Sequence, residues 1–269
     1  MSGEEFDLGS IGDDDDNAGS TETQTDSSGS LIREVIEFCG GPDLIELFGP
    51  SGSGKSEFAV QVAQSALQDA NKDVLFIDTE RNIGEMDRID GADYVYIPEW
   101  HDIYSYVNSS SSNPSSSAFG ENTTNSKGIP GGYDVVVLDS IGFPALIQYG
   151  KYRVADDAEQ FKVFNELQVI TGELKKYAQK NEALVIVTNQ PKSDLSDADD
   201  PDPFGDKSIF GFKEVWKTDK ASTSEIRTKC EVNAFRSRQS GKGKSLFQLS
   251  ISDEGVDVTS KYNESVEDK

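Results

Sequence analysis

Short apolar runs alternate with stretches of helical spacing along most of the chain. Residues 44–48 (LIELF), 74–78 (VLFID), 94–97 (YVYI), 135–139 (VVVLD) and 184–188 (LVIVT) are the strand candidates. Several are unbroken Val/Ile/Leu, as strands buried on both faces of a parallel sheet are. Residues 31–38, 55–70 and 156–179 read as helices between them. This alternation predicts an α/β domain. From Glu225 onward the texture changes to two longer runs, EIRTKCEVNAF and SLFQLSIS, joined by the turn-rich RSRQSGKGK, with the second continuing into EGVDV. A C-terminal antiparallel hairpin is the expectation there.

Three segments lack the pattern. Residues 1–30 hold only three large apolar residues (Phe6, Leu8, Ile11), and residues 108–132 are rich in Ser, Asn and Gly. Neither buries enough to offset chain entropy, so the first is expected to be a disordered acidic tail and the second a disordered surface insertion. Residues 31–260 would form the folded domain, and 261–269 a short acidic C-terminal tail.

Charge narrows the function. The chain of 269 residues carries 49 Asp and Glu against 25 Lys and Arg, a net charge of −24. Nine of those acids and no base lie in the first 30 residues, so the remainder still holds 40 acids against 25 bases. A field of that sign argues against a broadly basic nucleic-acid binder, though not against a small basic site. Evenly spread acidity with little Lys fits a halophilic host, whose salt screens self-repulsion; an acidic mesophilic protein is the alternative. One histidine (His101) and two distant cysteines (Cys39, Cys230) give no zinc spacing and no histidine relay. No apolar stretch approaches the roughly 18 residues that span a bilayer, and no basic and apolar leader opens the chain, so a cytoplasmic protein without membrane contact is expected.

The strongest chemical signal is Gly49-Pro50-Ser51-Gly52-Ser53-Gly54-Lys55-Ser56, a complete G-x-x-x-x-G-K-[ST] between a strand and a helix. In such a loop backbone N–H groups turn inward around phosphates, Lys55 supplies a positive charge, and Ser56 offers its hydroxyl to Mg²⁺. ATP and Mg²⁺ are the expected ligands. Asp139 ends an apolar strand further on, where a P-loop enzyme holds Mg²⁺. Asp78 and Glu80 end another: Glu80 either orients a water in line with the γ-phosphate or caps a loop with Asp78. Gln190 follows LVIVTN, placed either to sense the γ-phosphate or to form an ordinary turn.

In order behind GPSGSGKS, the runs IDTE, LDS and TNQ resemble the RecA/RadA family of recombinase ATPases. The resemblance covers about residues 31–260 and is strong in the motifs and weak between them. It implies a RecA-like P-loop NTPase core: a mostly parallel twisted sheet flanked by helices, ending in the antiparallel hairpin. It also implies that Glu80 is the catalytic glutamate and that Gln190 couples nucleotide state to the loop that follows. Tyr149 to Asp156 is similar to the family's first DNA-binding loop and the helix start after it, where Lys151 and Arg153 would contact single-stranded DNA or else form a solvated basic pair beside a helix. PFGD at 203–206 resembles a run after the second loop. Phe235-Arg236-Ser237-Arg238 resembles the K-x-R element of KaiC-like ATPases, whose cations reach a neighbouring subunit's γ-phosphate; an ordinary basic hairpin edge is the alternative. A homo-oligomer or a RecA-family partner follows from that likeness. Two departures point the other way: an acidic tail stands where full RadA has a helix-hairpin-helix domain, and residues 191–204 hold five Asp and one Lys. The resemblance thus implies an ATP-hydrolysing protein of DNA recombination or repair or its regulation, with a KaiC-like regulatory ATPase acting on protein partners as the other reading.

Overall fold

The computed structural model describes residues 30–81, 89–108, 128–155, 160–191, 202–205, 212–224, 226–252 and 255–260. The acidic tails and most of the Ser/Asn/Gly-rich insertion lie outside them.

Five strands follow the sequence pattern closely: β1 (Leu44–Phe48), β2 (Val74–Asp78), β3 (Asp93–Tyr96), β4 (Val135–Asp139) and β5 (Leu184–Asn189). Every residue of β1, β2, β4 and β5 is buried, which is why they carry no polar alternation. The helices are α1 (Leu31–Cys39), α2 (Lys55–Ala70), α3 (Trp100–Asn108), α4 (Gly142–Ala155) and α5 (Gln160–Asn181). Four strands complete the sheet: β6 (Glu214–Thr223), β7 (Arg227–Arg236), β8 (Ser245–Ser252) and β9 (Gly255–Ser260).

The strands form one sheet in the order β3-β2-β4-β5-β1-β6-β7-β8-β9. Pairings from β3 to β6 are parallel, and those from β6 to β9 antiparallel. The antiparallel part is larger than the expected hairpin: EGVDV turns back as its own strand, β9, along β8, and β6 joins β7 to the parallel core.

Helices cover both faces. Val135 and Val137 pack with α1 and α2 around Phe58, Val62 and Trp216, while Val136 and Leu138 pack with α3, α4 and α5 around Ile103, Leu167 and Leu174. Alternate residues of each central strand thus enter opposite cores. The expected helix 156–179 is observed as α5, beginning at Gln160 and preceded by α4. Among the described residues no helix is long and apolar enough to cross a membrane.

Candidate active site

A parallel sheet brings the carboxyl ends of its strands to one edge, and the chemistry-bearing residues follow those ends. The phosphate-loop candidate, Gly49 to Ser56, leaves β1 and enters α2 at Lys55. Gly52 and Gly54 take φ of 69° and 88°, a left-handed backbone that glycine adopts without strain. Gly49 is glycine for a different reason: a Cβ there would lie 2.3 Å from both the carbonyl and the hydroxyl of Thr218 on β6. Ser53 and Thr218 bridge loop and strand through their hydroxyls at 2.6 Å. Pro50 and Ser51 form the exposed crest.

Lys55 is buried, and its ammonium donates to the carbonyls of Gly49 (2.8 Å) and Pro50 (2.9 Å). Burial pulls its pKa below the ordinary lysine value, while the carboxylates of Asp139, Glu80 and Glu57 oppose that fall. Two residues from two other strand ends therefore lie within electrostatic reach of the loop lysine.

Asp139 pairs in register with Asp78 across β2 and β4, at the ends of both strands. Burial raises its pKa above the ordinary carboxylate value; hydroxyls of Thr188 and Ser56 hydrogen-bond to it and lower it, and Glu80 and Asp78 raise it further. The Thr188 hydroxyl donates to Oδ1. The buried Oδ2 has no hydrogen-bond partner among the described residues. A buried carboxylate with one free oxygen, beside a serine hydroxyl and a phosphate loop, fits a Mg²⁺ ion that takes most of its ligands from phosphate and water. Among the described residues no three His, Cys, Asp or Glu side chains cluster as a protein-only metal cage.

Asp78 and Glu80 make different hydrogen bonds. Asp78 Oδ1 accepts the backbone N–H groups of Glu80 (3.0 Å) and Arg81 (2.8 Å), so Asp78 shapes the turn after β2. Glu80 Oε1 instead accepts a hydrogen bond from the Ser140 hydroxyl. Thr79 ties the two strand ends together, donating to the Ser140 carbonyl at 2.7 Å and accepting the Ser140 N–H at 2.8 Å.

Gln190 stands half-buried after β5, its N–H bonded to Asn189 Oδ1 (2.8 Å) and its carbonyl to the Phe204 N–H (2.8 Å). Asn189 also donates to Glu46 (2.6 Å) and to the Phe204 carbonyl (2.9 Å). Pro191 and Pro203 form an isolated bridge, so the acidic segment between them, whose residues 192–201 lie outside the description, leaves and returns at this point.

The remaining candidates lie elsewhere. Lys151 and Arg153 are exposed near the end of helix α4 rather than on a loop. Arg236 pairs with Val215 at the start of β6, the end of the sheet away from the phosphate loop. Arg238 is engaged at that end with Asp43 (2.6 Å) and Glu214 (3.6 Å). Within one chain neither arginine joins the loop. Sequence reasoning missed Thr188, Ser140 and Thr218, whose hydroxyls hold Asp139, Glu80 and the loop; only the neighbour relations of the sheet bring them there.

Residues 44–145 match the AAA domain family. No curated protein matches the sequence. The crystal structure of the RadB recombinase is similar with a TM-score of 0.56 at 17% sequence identity, over 86% of this chain and 97% of that one. Solved chains that match number 437, so the fold is widespread and does not by itself fix a biological role. The chain therefore adopts the RecA-like P-loop NTPase fold, with its phosphate loop at the carboxyl edge of a parallel sheet that ends in antiparallel strands.

Proposed function

We propose that the protein binds ATP with Mg²⁺ and hydrolyses it by in-line attack of water. The observation that carries this reading is the meeting of three strand ends: Lys55 feels the charges of both Asp139 and Glu80, and the residue after Asp139 holds the Glu80 carboxylate. The amides of residues 52–56 and the Lys55 ammonium bind the phosphates, Lys55 exchanging its two carbonyl partners for phosphate oxygens. Ser56 and Asp139 would hold Mg²⁺, which when bound neutralises β- and γ-oxygen charge. Glu80 orients the attacking water and takes its proton, and Ser140 keeps that carboxylate in one rotamer. Gln190 reports the γ-phosphate to the segment that begins at Pro191.

The reading extends to DNA recombination or repair, or its regulation. It is supported by the motif order, by the name of the RadB recombinase among similar structures, and by the exposed Lys151 and Arg153. An oligomer would allow Arg236 or Arg238 to act on a neighbour's nucleotide, and the acid-rich composition suits a cytoplasm of concentrated salt. One observation favours a second reading, a regulatory ATPase that acts on proteins: the five Asp of residues 191–204 stand where a DNA-facing loop would need cations. Steady-state hydrolysis in concentrated KCl with Mg²⁺, with and without single-stranded DNA, separates the two, with Lys55→Ala as background. Stimulation by DNA is expected. Hydrolysis indifferent to DNA selects the regulatory reading, and absence of hydrolysis above the Lys55→Ala background overturns both.

A further inference from the structure

Strand β6 does more than close the parallel core. It touches the phosphate loop directly: Thr218 bonds Ser53, its hydroxyl also donates to the Phe48 carbonyl at 3.3 Å, and Gly49 approaches it with no room for a side chain. Two residues along, Lys220 lies on the same face of the strand. Its Nζ stands 3.6 Å from the position a Cβ on Gly52 would occupy. Because residue 52 is glycine, no side chain separates that ammonium from the loop backbone. Lys220 is exposed at its end of β6, and among the described residues no ion pair holds it, whereas Lys217 on the other face is paired with Asp219 at 3.1 Å.

We propose that Lys220 is a second cation of the phosphate site, binding the α/β portion of the nucleotide from the side opposite Glu80. This rests on the nucleotide-binding reading above and assigns a residue to it. The side follows from sheet order: Glu80, Asp139 and Gln190 come from the ends of β2, β4 and β5, all on one flank of β1, and Lys220 comes from β6 on the other. The attacked γ-phosphate belongs to the first flank, so Lys220 meets the part of the polyphosphate whose charge changes little during hydrolysis. Its contribution is uniform binding of ground and transition state. The need for it is electrostatic. A polyphosphate entering a protein of net charge −24 also meets Glu57, Glu80, Asp78 and Asp139 around the loop, and one lysine offsets little of that field.

The test is equilibrium titration of the full chain with Mg²⁺·ADP and with AMP at moderate and high KCl, on wild type, Lys220→Ala, Lys220→Arg and Lys213→Ala. Lys213 lies just before β6 at its far end and removes the same charge away from the loop. Lys220→Ala is expected to weaken ADP about tenfold at moderate salt, the size of one charge-assisted hydrogen bond at a partly exposed site. The loss shrinks as KCl rises, Lys220→Arg restores most of the affinity, and Lys213→Ala leaves it unchanged. In turnover, Lys220→Ala raises the KM for ATP by about the same factor as the Kd for ADP. Equal ADP affinity in Lys220→Ala and wild type overturns the assignment. So does a loss matched by Lys213→Ala, which would mark a general charge effect. If wild type binds neither ADP nor ATP, the nucleotide-binding reading falls first.

Discussion

The Ser140 hydroxyl donates to Glu80 Oε1, and the Ser140 Oγ itself accepts the Phe143 N–H at 3.3 Å at the start of α4. One serine thus joins the end of β4, the end of β2 and a helix N-terminus, and places a carboxylate beside the strand that carries Asp139. Replacing Glu80 by Gln is expected to lower the hydrolysis rate at least about 100-fold while ATP binding persists, the range seen for loss of a general base. Ser140→Ala frees the carboxylate without removing it, so kcat is expected to fall about tenfold with Kd unchanged. Single-turnover kinetics paired with nucleotide titration read both effects; a Ser140→Ala variant with wild-type kcat would remove Ser140 from the mechanism.

Gly49→Ala tests how tightly the loop is seated. The added methyl would meet Thr218 at 2.3 Å and the Ser53 hydroxyl at 2.7 Å. The Thr218 carbonyl belongs to a strand and cannot swing away, so the loop must lift from β6. A stability loss of about 1–3 kcal/mol, the usual range for overpacking, should accompany loss of ADP binding. Thermal melting with and without ADP checks it, and an unchanged melting temperature with an intact ADP shift would mean that the loop accommodates the methyl.

Asp139 ties function to stability through protonation. Its folded pKa lies above the ordinary value of 3.8, chiefly because burial penalises the anion. The sign follows by linkage: relative to the unfolded chain the fold is best served by the protonated acid, so stability from this group is present below 3.8 and is lost as pH rises through the folded value. Above that folded value, without metal, the buried anion is a net cost. Asp139→Asn is therefore expected to raise the melting temperature of the nucleotide-free, EDTA-treated protein at pH 7 and to flatten its decline between pH 4 and 7, while abolishing Mg²⁺-dependent hydrolysis. A variant less stable than wild type at pH 7 would contradict it.

These couplings mark what the sequence could carry. Val135–Asp139 announces a buried strand ending in a carboxylate, and GPSGSGKS its phosphate loop, because both signals are local. Thr188 beside Asp139 and Thr218 beside Ser53 are not local: they depend on β5 neighbouring β4 and on β6 neighbouring β1. Strand β6 itself, EVWKTDKAST, was hidden by lysines and an aspartate that emerge as it runs past the loop. Helix α4 was hidden by two glycines and a proline, although Pro144 falls in its first turn, where the missing N–H costs nothing. The likeness of 149–156 to a loop and helix start therefore does not show that Lys151 and Arg153 lie within a helix.

Arg238 separates a structural cation from a catalytic one. Its guanidinium meets Asp43 at 2.6 Å and Glu214 at 3.6 Å, its own N–H donates to Glu214 at 3.0 Å, and Lys175 also pairs with Asp43. Glu214 is fully buried, and its Oε2 has no hydrogen-bond partner among the described residues. Removing the guanidinium takes the nearby positive charge from that carboxylate and leaves it the backbone N–H of residue 238. Breaking a fully buried pair costs about 3–5 kcal/mol. Here the arginine is 43% exposed, so Arg238→Ala should cost nearer about 2 kcal/mol, read as a shift in denaturant midpoint. A trans-acting cation makes a different prediction: turnover per chain that rises with protein concentration in wild type and not in the variant, whatever the stability. Asp43→Asn distinguishes the two, since it loosens the same network yet keeps the arginine. If Asp43→Asn lowers stability but retains concentration-dependent turnover, while Arg238→Ala loses it, Arg238 serves a neighbour's nucleotide. If both variants differ from wild type only in stability, Arg238 is a strut that fastens the end of β7 to the start of β1.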